Sequence, residues 1–320
     1  MPRHPLIDVH HHIVPPAYLA VAGQGFATRN PANATQVLKW TPAGSIEAMD
    51  RAGITAAITS ISTPGVWFGN VVQAKRLSRE CNEFAAAMER RHPGRFGFFA
   101  TLPMPDVAAT LDEIGYAFDT LHADGVALMS NYGRVWPGDP LFAPVFDELN
   151  SRKAAVYVHP ILPEACQSMQ PGIGESALEY LFDTARAIAS LVYNGALLRW
   201  PDVRFIFSHA GGAMPPLAER VSRMADRDRK IEPKPPRGSL SEIKRLYFDV
   251  ATSTNPVSLS GLLQLVPATQ VMFGTDYPFV ASIRYTLDPL RDHGLGATDL
   301  SAIESGTALR LFPRFATENA

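Results

Sequence analysis

The 320-residue chain is 46% hydrophobic and 19% charged, enough apolar material to bury a large core. Its formal net charge of −2 provides no cationic field, so neither a nucleic-acid nor a membrane partner is expected. No apolar run approaches the ~20 residues needed to span a bilayer, and no leader-like apolar stretch precedes the first strand. Cys81 and Cys166 show no CxxC spacing and read as reduced thiols, so a cytoplasmic protein is expected.

In chain order, short apolar, β-rich runs predict strands over residues 6–12, 54–61, 96–102, 125–130, 155–159, 203–209, 246–250 and 271–275. Helical periodicity covers residues 71–91, 107–122, 141–152, 175–199, 215–229, 256–266 and 298–311. Eight strands alternating with helices predict an α/β fold, a (β/α)8 TIM barrel in one domain. Residues 31–44, 131–140 and 160–174 read as long loops following strands, the side on which such barrels place active sites. Residues 232–238, with three prolines, read as an exposed linker.

The chemistry sits at the ends of the strands. In Asp8-Val9-His10-His11-His12, the period of two puts His10 and His12 on one face, where two imidazoles can chelate one divalent cation. His11 points the other way and is expected to be packed or hydrogen-bonded. His159 ends the fifth strand, His209 the sixth, and Asp276 the eighth. Each residue alone could be a satisfied structural group; together, at the C-terminal ends of one barrel, they converge on one mouth. His4, His92, His122 and His293 lie in the tail, at helix ends or in loops, where solvated or capping roles are expected.

This pattern resembles the amidohydrolase superfamily over essentially the whole chain. It is most similar to the branch that holds aminocarboxymuconate-semialdehyde decarboxylases and hydroxybenzoate decarboxylases. The likeness rests on His10-x-His12, on Ser208-His209-Ala210-Gly211-Gly212-Ala213-Met214-Pro215 and on Gly274-Thr275-Asp276-Tyr277-Pro278-Phe279. Residues 63–83, with Thr63-Pro64-Gly65 and Glu80-Cys81-Asn82-Glu83, look most like 6-methylsalicylate decarboxylase-type members.

The resemblance implies His10, His12, His159 and Asp276 as ligands of one divalent metal. Zn²⁺ is the expected ion, with Mn²⁺ as the alternative. It further implies His209 and Asp276 as catalytic groups and Phe279 as a substrate contact. Arg220 is implied to bind substrate carboxylate at a neighbouring subunit's site, hence a homodimer or a dimer-based oligomer. An exposed helix arginine is the plain alternative for Arg220. Two departures matter. Some aromatic decarboxylases of the family begin with Glu-x-His and carry Glu where this chain has Gly212. Aminocarboxymuconate-type enzymes supply a further arginine near residues 45–50, where this chain offers only Arg51.

The expected activity is therefore non-oxidative decarboxylation of a salicylate-like acid, with a small aromatic carboxylate as partner. Metal-dependent hydrolysis of a small lactone is the alternative, and a barrel serving as a non-catalytic binding protein is the third reading.

Overall fold

The computed structural model describes residues 5–29, 34–167, 172–231 and 234–316. Eight strands form one sheet in sequential order, and each strand pairs in parallel with the next. They are β1 (Ile7–His12), β2 (Ala56–Ser60), β3 (Phe96–Thr101), β4 (Gly125–Met129), β5 (Ala155–His159), β6 (Arg204–Phe207), β7 (Tyr247–Asp249) and β8 (Val271–Met272). Backbone bonds from the chain beyond β8 close the ring onto β1: Val9 N–H donates to Phe273 O (3.0 Å) and Asp276 N–H to His10 O (2.8 Å). The result is the expected (β/α)8 barrel, each expected strand lying within a few residues of an observed one.

The strands are apolar on both sides because both sides are covered. Ile7, Val9, Ile58, Phe99, Tyr157, Ile206 and Met272 fill the barrel, while a larger cluster lies between strands and helices. The floor is sealed by the end of the chain, where Ala308, Leu311, Phe312 and Phe315 join the interior cluster. There the Arg314 guanidinium donates to Asp124 (2.6 Å) and Glu89 (2.8 Å). A Cβ on Gly97 would lie 2.6 Å from the Phe315 ring, so only glycine lets the tail approach β3 this closely.

Helices Val71–Arg91 and Val107–Asp119 match the periodicity, and their first turns are capped by Asn70 and Asp106. The long helix expected over 175–199 is divided into Glu175–Ala177, Glu179–Tyr193 and Ala196–Arg199: Leu178 leaves helical backbone (φ −132°) at the first break, and Gly195 adopts left-handed backbone (φ 64°) at the second. Likewise a π turn, Ala302–Gly306, splits the segment 298–311.

Among the described residues five α-helices were not expected: Pro16–Arg29, Ala34–Leu38, Pro42–Ala52, Ser239–Ile243 and Arg284–Asp292. The first carries apolar residues without a clean stripe and holds two glycines. The third begins with Thr41-Pro42, which reads equally well as a turn or as a cap followed by proline in the first turn. The loop expected over 31–44 is thus largely helical, with residues 31–33 outside the described ones. Of the other expected loops, 168–171 lie outside the described residues, as do Glu232, Pro233 and His4. Both cysteines are buried and free. Among the described residues no helix is long and apolar enough to cross a membrane.

Candidate active site

A β-bulge aims the first two histidines. In the β1–β2 register, Asp8 pairs with Ala57 and His11 with Thr59, so two residues of β1 oppose one of β2. Ile7 and Val9 point into the barrel below the bulge; above it, His10 and His12 take the inward positions. His11 is left outside, where it meets Asp8 Oδ2 and Ser45 Oγ, both at 3.0 Å. Asp8 also accepts the Thr275 hydroxyl (2.6 Å) and backbone N–H (3.0 Å), tying β1 to the chain after β8.

His159 arrives from the end of β5 and Asp276 from just beyond β8. One ligand atom from each of His10, His12, His159 and Asp276 lies within 4.8 Å of all the others. Asp276 Oδ1 sits 3.3 Å from His10 Nε2 and 3.2 Å from His12 Nε2. Gly274 permits this: a Cβ there would lie 2.7 Å from the His10 Cβ.

The tautomers identify what belongs between these atoms. His10 Nδ1 faces the Asp249 carboxylate (3.0 Å), His12 Nδ1 faces Ser60 O (3.3 Å) and the Ser60 hydroxyl (3.2 Å), and His159 Nδ1 faces Pro160 O (2.9 Å). Carboxylates and carbonyls only accept, so His10 and His159 carry an N–H on Nδ1, Ser60 O favours the same for His12, and Nε2 is the nitrogen each ring turns inward. His10 Nε2 and His12 Nε2 stand 3.0 Å apart. Two imidazole nitrogens held that close beside a carboxylate oxygen fit a cation, and a three-imidazole, one-carboxylate set suits a divalent transition metal.

Burial pulls the His12 and His159 rings below the ordinary histidine value, keeping them neutral, as ligation requires. Burial also pulls on His10, but Asp249 and Asp276 outweigh it and raise the ring to about 10. Burial would raise Asp276, yet the His10 charge and the bonds from His10, His12 and His209 hold it well below the usual carboxylate range.

His209 is placed differently. Its Nε2 lies 3.6 Å from Asp276 Oδ2, the oxygen turned away from His10 and His12. Its Nδ1 is buried without a hydrogen-bond partner among the described residues, so no acceptor pins its tautomer. The residue has φ 53°, and Ala210, Gly211 and Gly212 continue in left-handed backbone.

Above these groups opens a cavity of about 470 Å³, within the usual range for a small-molecule site. Its walls include Ser62, Thr63, Tyr180, Leu181, Thr252 and Phe279, and the Phe279 ring meets His12 edge-on at 5.4 Å. No lysine or arginine is among the described residues lining it.

The structure therefore brings together His10, His12, His159, His209, Asp276 and Phe279. Arg220 stands apart, exposed on the helix Met214–Arg227 and outside the cavity walls. Arg51 is also outside, exposed and paired with Glu47 (2.6 Å). Sequence reasoning missed Asp249 and Thr252. The signal for the former was available: a carboxylate ending the apolar run Leu246-Tyr247-Phe248, like Asp276 after β8.

Residues 7–314 match the family model described as Amidohydrolase. A 6-methylsalicylic acid decarboxylase of Penicillium expansum is 35% identical over 96% of this chain and 96% of its own length. The decarboxylase yanB of Aspergillus niger is 34% identical over 97% and 88% respectively. Among solved structures, a dihydroxybenzoic acid decarboxylase of a Polaromonas species, with bound manganese and the inhibitor 2-nitroresorcinol, superposes with a TM-score of 0.84. It shares 21% identity, over 99% of this chain and 98% of that one. The bulged His-x-His strand, the inward-facing Nε2 atoms and the carboxylate after β8 thus stand within a chain that belongs to the amidohydrolase family.

Proposed function

We propose that this chain is a metal-dependent, non-oxidative decarboxylase of a salicylate-like hydroxybenzoate of the 6-methylsalicylate type. The observation that carries this reading is the division of Asp276: Oδ1 faces His10 and His12, while Oδ2 faces His209 at the cavity. One carboxylate is thereby shared between a cation site and a proton-carrying group. Relatives at 31–35% identity over nearly the whole chain, named as decarboxylases, support the same activity. They lend none to the lactone hydrolase alternative or to a non-catalytic barrel.

His10, His12, His159 and Asp276 would hold one divalent ion. Zn²⁺ suits the nitrogen-rich set, and the manganese in the Polaromonas enzyme keeps Mn²⁺ as the alternative. Such an ion, when bound, supplies positive charge that orients phenolate and carboxylate oxygens and stabilises the developing charge. His209 and Asp276 hold the transferable proton between Nε2 and Oδ2. The pair delivers it to the ring carbon bearing the carboxylate. The bond to the carboxylate carbon then breaks, its electrons return to the ring, and CO2 and a phenol leave. Phe279 and Leu181 offer the ring an apolar seat, and Thr252, Ser62 and Thr63 offer hydroxyls to its polar edge.

The absence of lysine and arginine among the described residues lining the cavity supports the expected role of Arg220. A second copy of the chain would bring this residue, through its planar two-pronged guanidinium, to the substrate carboxylate. A dimer-based assembly follows, and two buried free thiols suit a reducing, cytoplasmic setting. The test is a panel of hydroxybenzoates and lactones offered to the metal-loaded enzyme. Equal amounts of CO2 and 3-methylphenol from 6-methylsalicylate are expected; ring opening of a lactone without CO2 release would overturn the reading.

A further inference from the structure

Asp249 takes no part in the chemistry above, yet four donors converge on its carboxylate. Oδ2 accepts His10 Nδ1–H at 3.0 Å and the Tyr157 hydroxyl at 2.9 Å. Oδ1 accepts the backbone N–H of His209 at 3.1 Å and of Ala251 at 2.8 Å. These donors come from β1, from β5, from the turn after β6 and from the turn after β7. Asp249 is fully buried, and no lysine or arginine forms an ion pair with it among the described residues. A buried carboxylate served only by dipoles and one imidazole is costly unless positive charge lies close by. His10 is the group that places such charge beside it, on its own ring or on an ion at its Nε2.

We propose that Asp249 is the positioning residue for both halves of the site. It holds His10 in the Nδ1–H form that turns Nε2 to the metal, and holds His209 in the left-handed turn that aims its ring at Asp276. This rests on the metal-centre reading above. Carboxylates behind ligating histidines act in this way, fixing the tautomer and raising the basicity of the inward nitrogen. Here the same carboxylate also accepts the N–H of the residue that carries the proton, so one group sets the spacing between ligand and acid. The φ of 53° at His209, unusual for a residue with a Cβ, is the conformation this bond helps to keep.

The substitution Asp249→Asn separates this role from mere packing. Asparagine has the same shape but only one accepting oxygen, whereas all four surrounding groups donate. If its oxygen faces His209 and Ala251, its NH2 opposes Tyr157 and forces His10 into the Nε2–H form, which aims a proton at the cation site. If flipped, its NH2 opposes two backbone N–H groups, and the turn at His209 must move. Tyr157→Phe is the control, since it removes one donor and leaves the carboxylate whole.

The experiment titrates Co²⁺ into metal-free wild type, Asp249→Asn and Tyr157→Phe, following the visible absorption of the bound ion, with circular dichroism to verify folding. Cobalt affinity should fall about 10–100-fold in Asp249→Asn, and stay within about threefold of wild type in Tyr157→Phe. A folded Asp249→Asn that binds Co²⁺ as wild type does would overturn the proposal and leave the metal centre standing. A wild type that binds no Co²⁺ would take both down together. Should Asp249→Asn not fold, the Zn²⁺-loaded wild type with ¹⁵N-labelled histidine decides. A strongly deshielded, slowly exchanging His10 Nδ1–H supports the role, and one exchanging freely with solvent refutes it.

Discussion

Thr286 Oγ1 accepts the backbone N–H of Thr252 at 3.0 Å and pins that β-branched residue at φ 54° on the cavity wall. The Thr254 hydroxyl, donating to Thr286 O at 3.0 Å, completes the clamp. Left-handed backbone costs a non-glycine residue roughly 1–3 kcal/mol, and such strain persists where the surroundings impose it. Thr252→Gly should therefore hold or raise stability by up to about 1 kcal/mol, after glycine's greater unfolded-chain entropy is offset. KM for the hydroxybenzoate should rise as the hydroxyl leaves the wall. Denaturant titration checks the first outcome; a clear loss of stability would mean that the turn holds no strain.

His159 and His209 should separate cleanly under mutation. Purified wild type should contain about one transition-metal ion per chain by elemental analysis, and His159→Ala should lose it. His209→Ala should keep most of the metal yet lose on the order of a hundredfold or more in kcat, the scale of a positioned acid–base group. Full occupancy in His159→Ala, or normal turnover in His209→Ala, would refute the corresponding role.

Metal and proton should compete at His10. Its ring is raised to about 10, so the metal-free protein keeps that proton through neutral pH, while burial leaves His12 and His159 neutral. Binding one ion at pH 7 should then release about one proton, and affinity should rise about tenfold per pH unit up to pH ~9. Calorimetry in buffers of differing ionisation enthalpy measures the release. The linked stability runs the other way. In the metal-free protein the His10 contribution is fully present below the unfolded value near 6.5 and is lost as pH rises through about 10.

Arg220 yields a complementation test. Each of His209→Ala and Arg220→Ala should be inactive alone. After subunit exchange, a mixed dimer carries one site with both residues intact, so activity should return toward a fraction of wild type. No recovery, with exchange demonstrated by differential labelling, would confine Arg220 to a role within its own chain or to none.

Much of this molecule is legible in its sequence, for identifiable reasons. Strands covered on both faces leave uninterrupted apolar runs, so β1 to β8 stand out, and histidines or a carboxylate ending such runs are conspicuous. The bulge at residues 9–10 is not legible, because it alters register without altering composition. Asp249 is marked as a carboxylate ending an apolar run, but its role is not legible, because His10, Tyr157 and the N–H of His209 come from β1, β5 and the turn after β6 and meet only in the closed barrel. The start of Pro42–Ala52 is not legible, because Thr-Pro opens turns and helices alike. For Arg220 one chain displays only an exposed helix position, so the proposed contact with a second copy is a matter for the assembly.

The sealing of the barrel floor by residues 308–315 has a consequence for how the core excludes water. Phe312 stacks edge-on against Phe99, a residue made more than two hundred positions earlier, with ring centres 5.7 Å apart. Until these residues are in place, the strands surround a lower interior that water can enter. Docking of residues 308–315, rather than pairing of β8, is thus the step that dries the core.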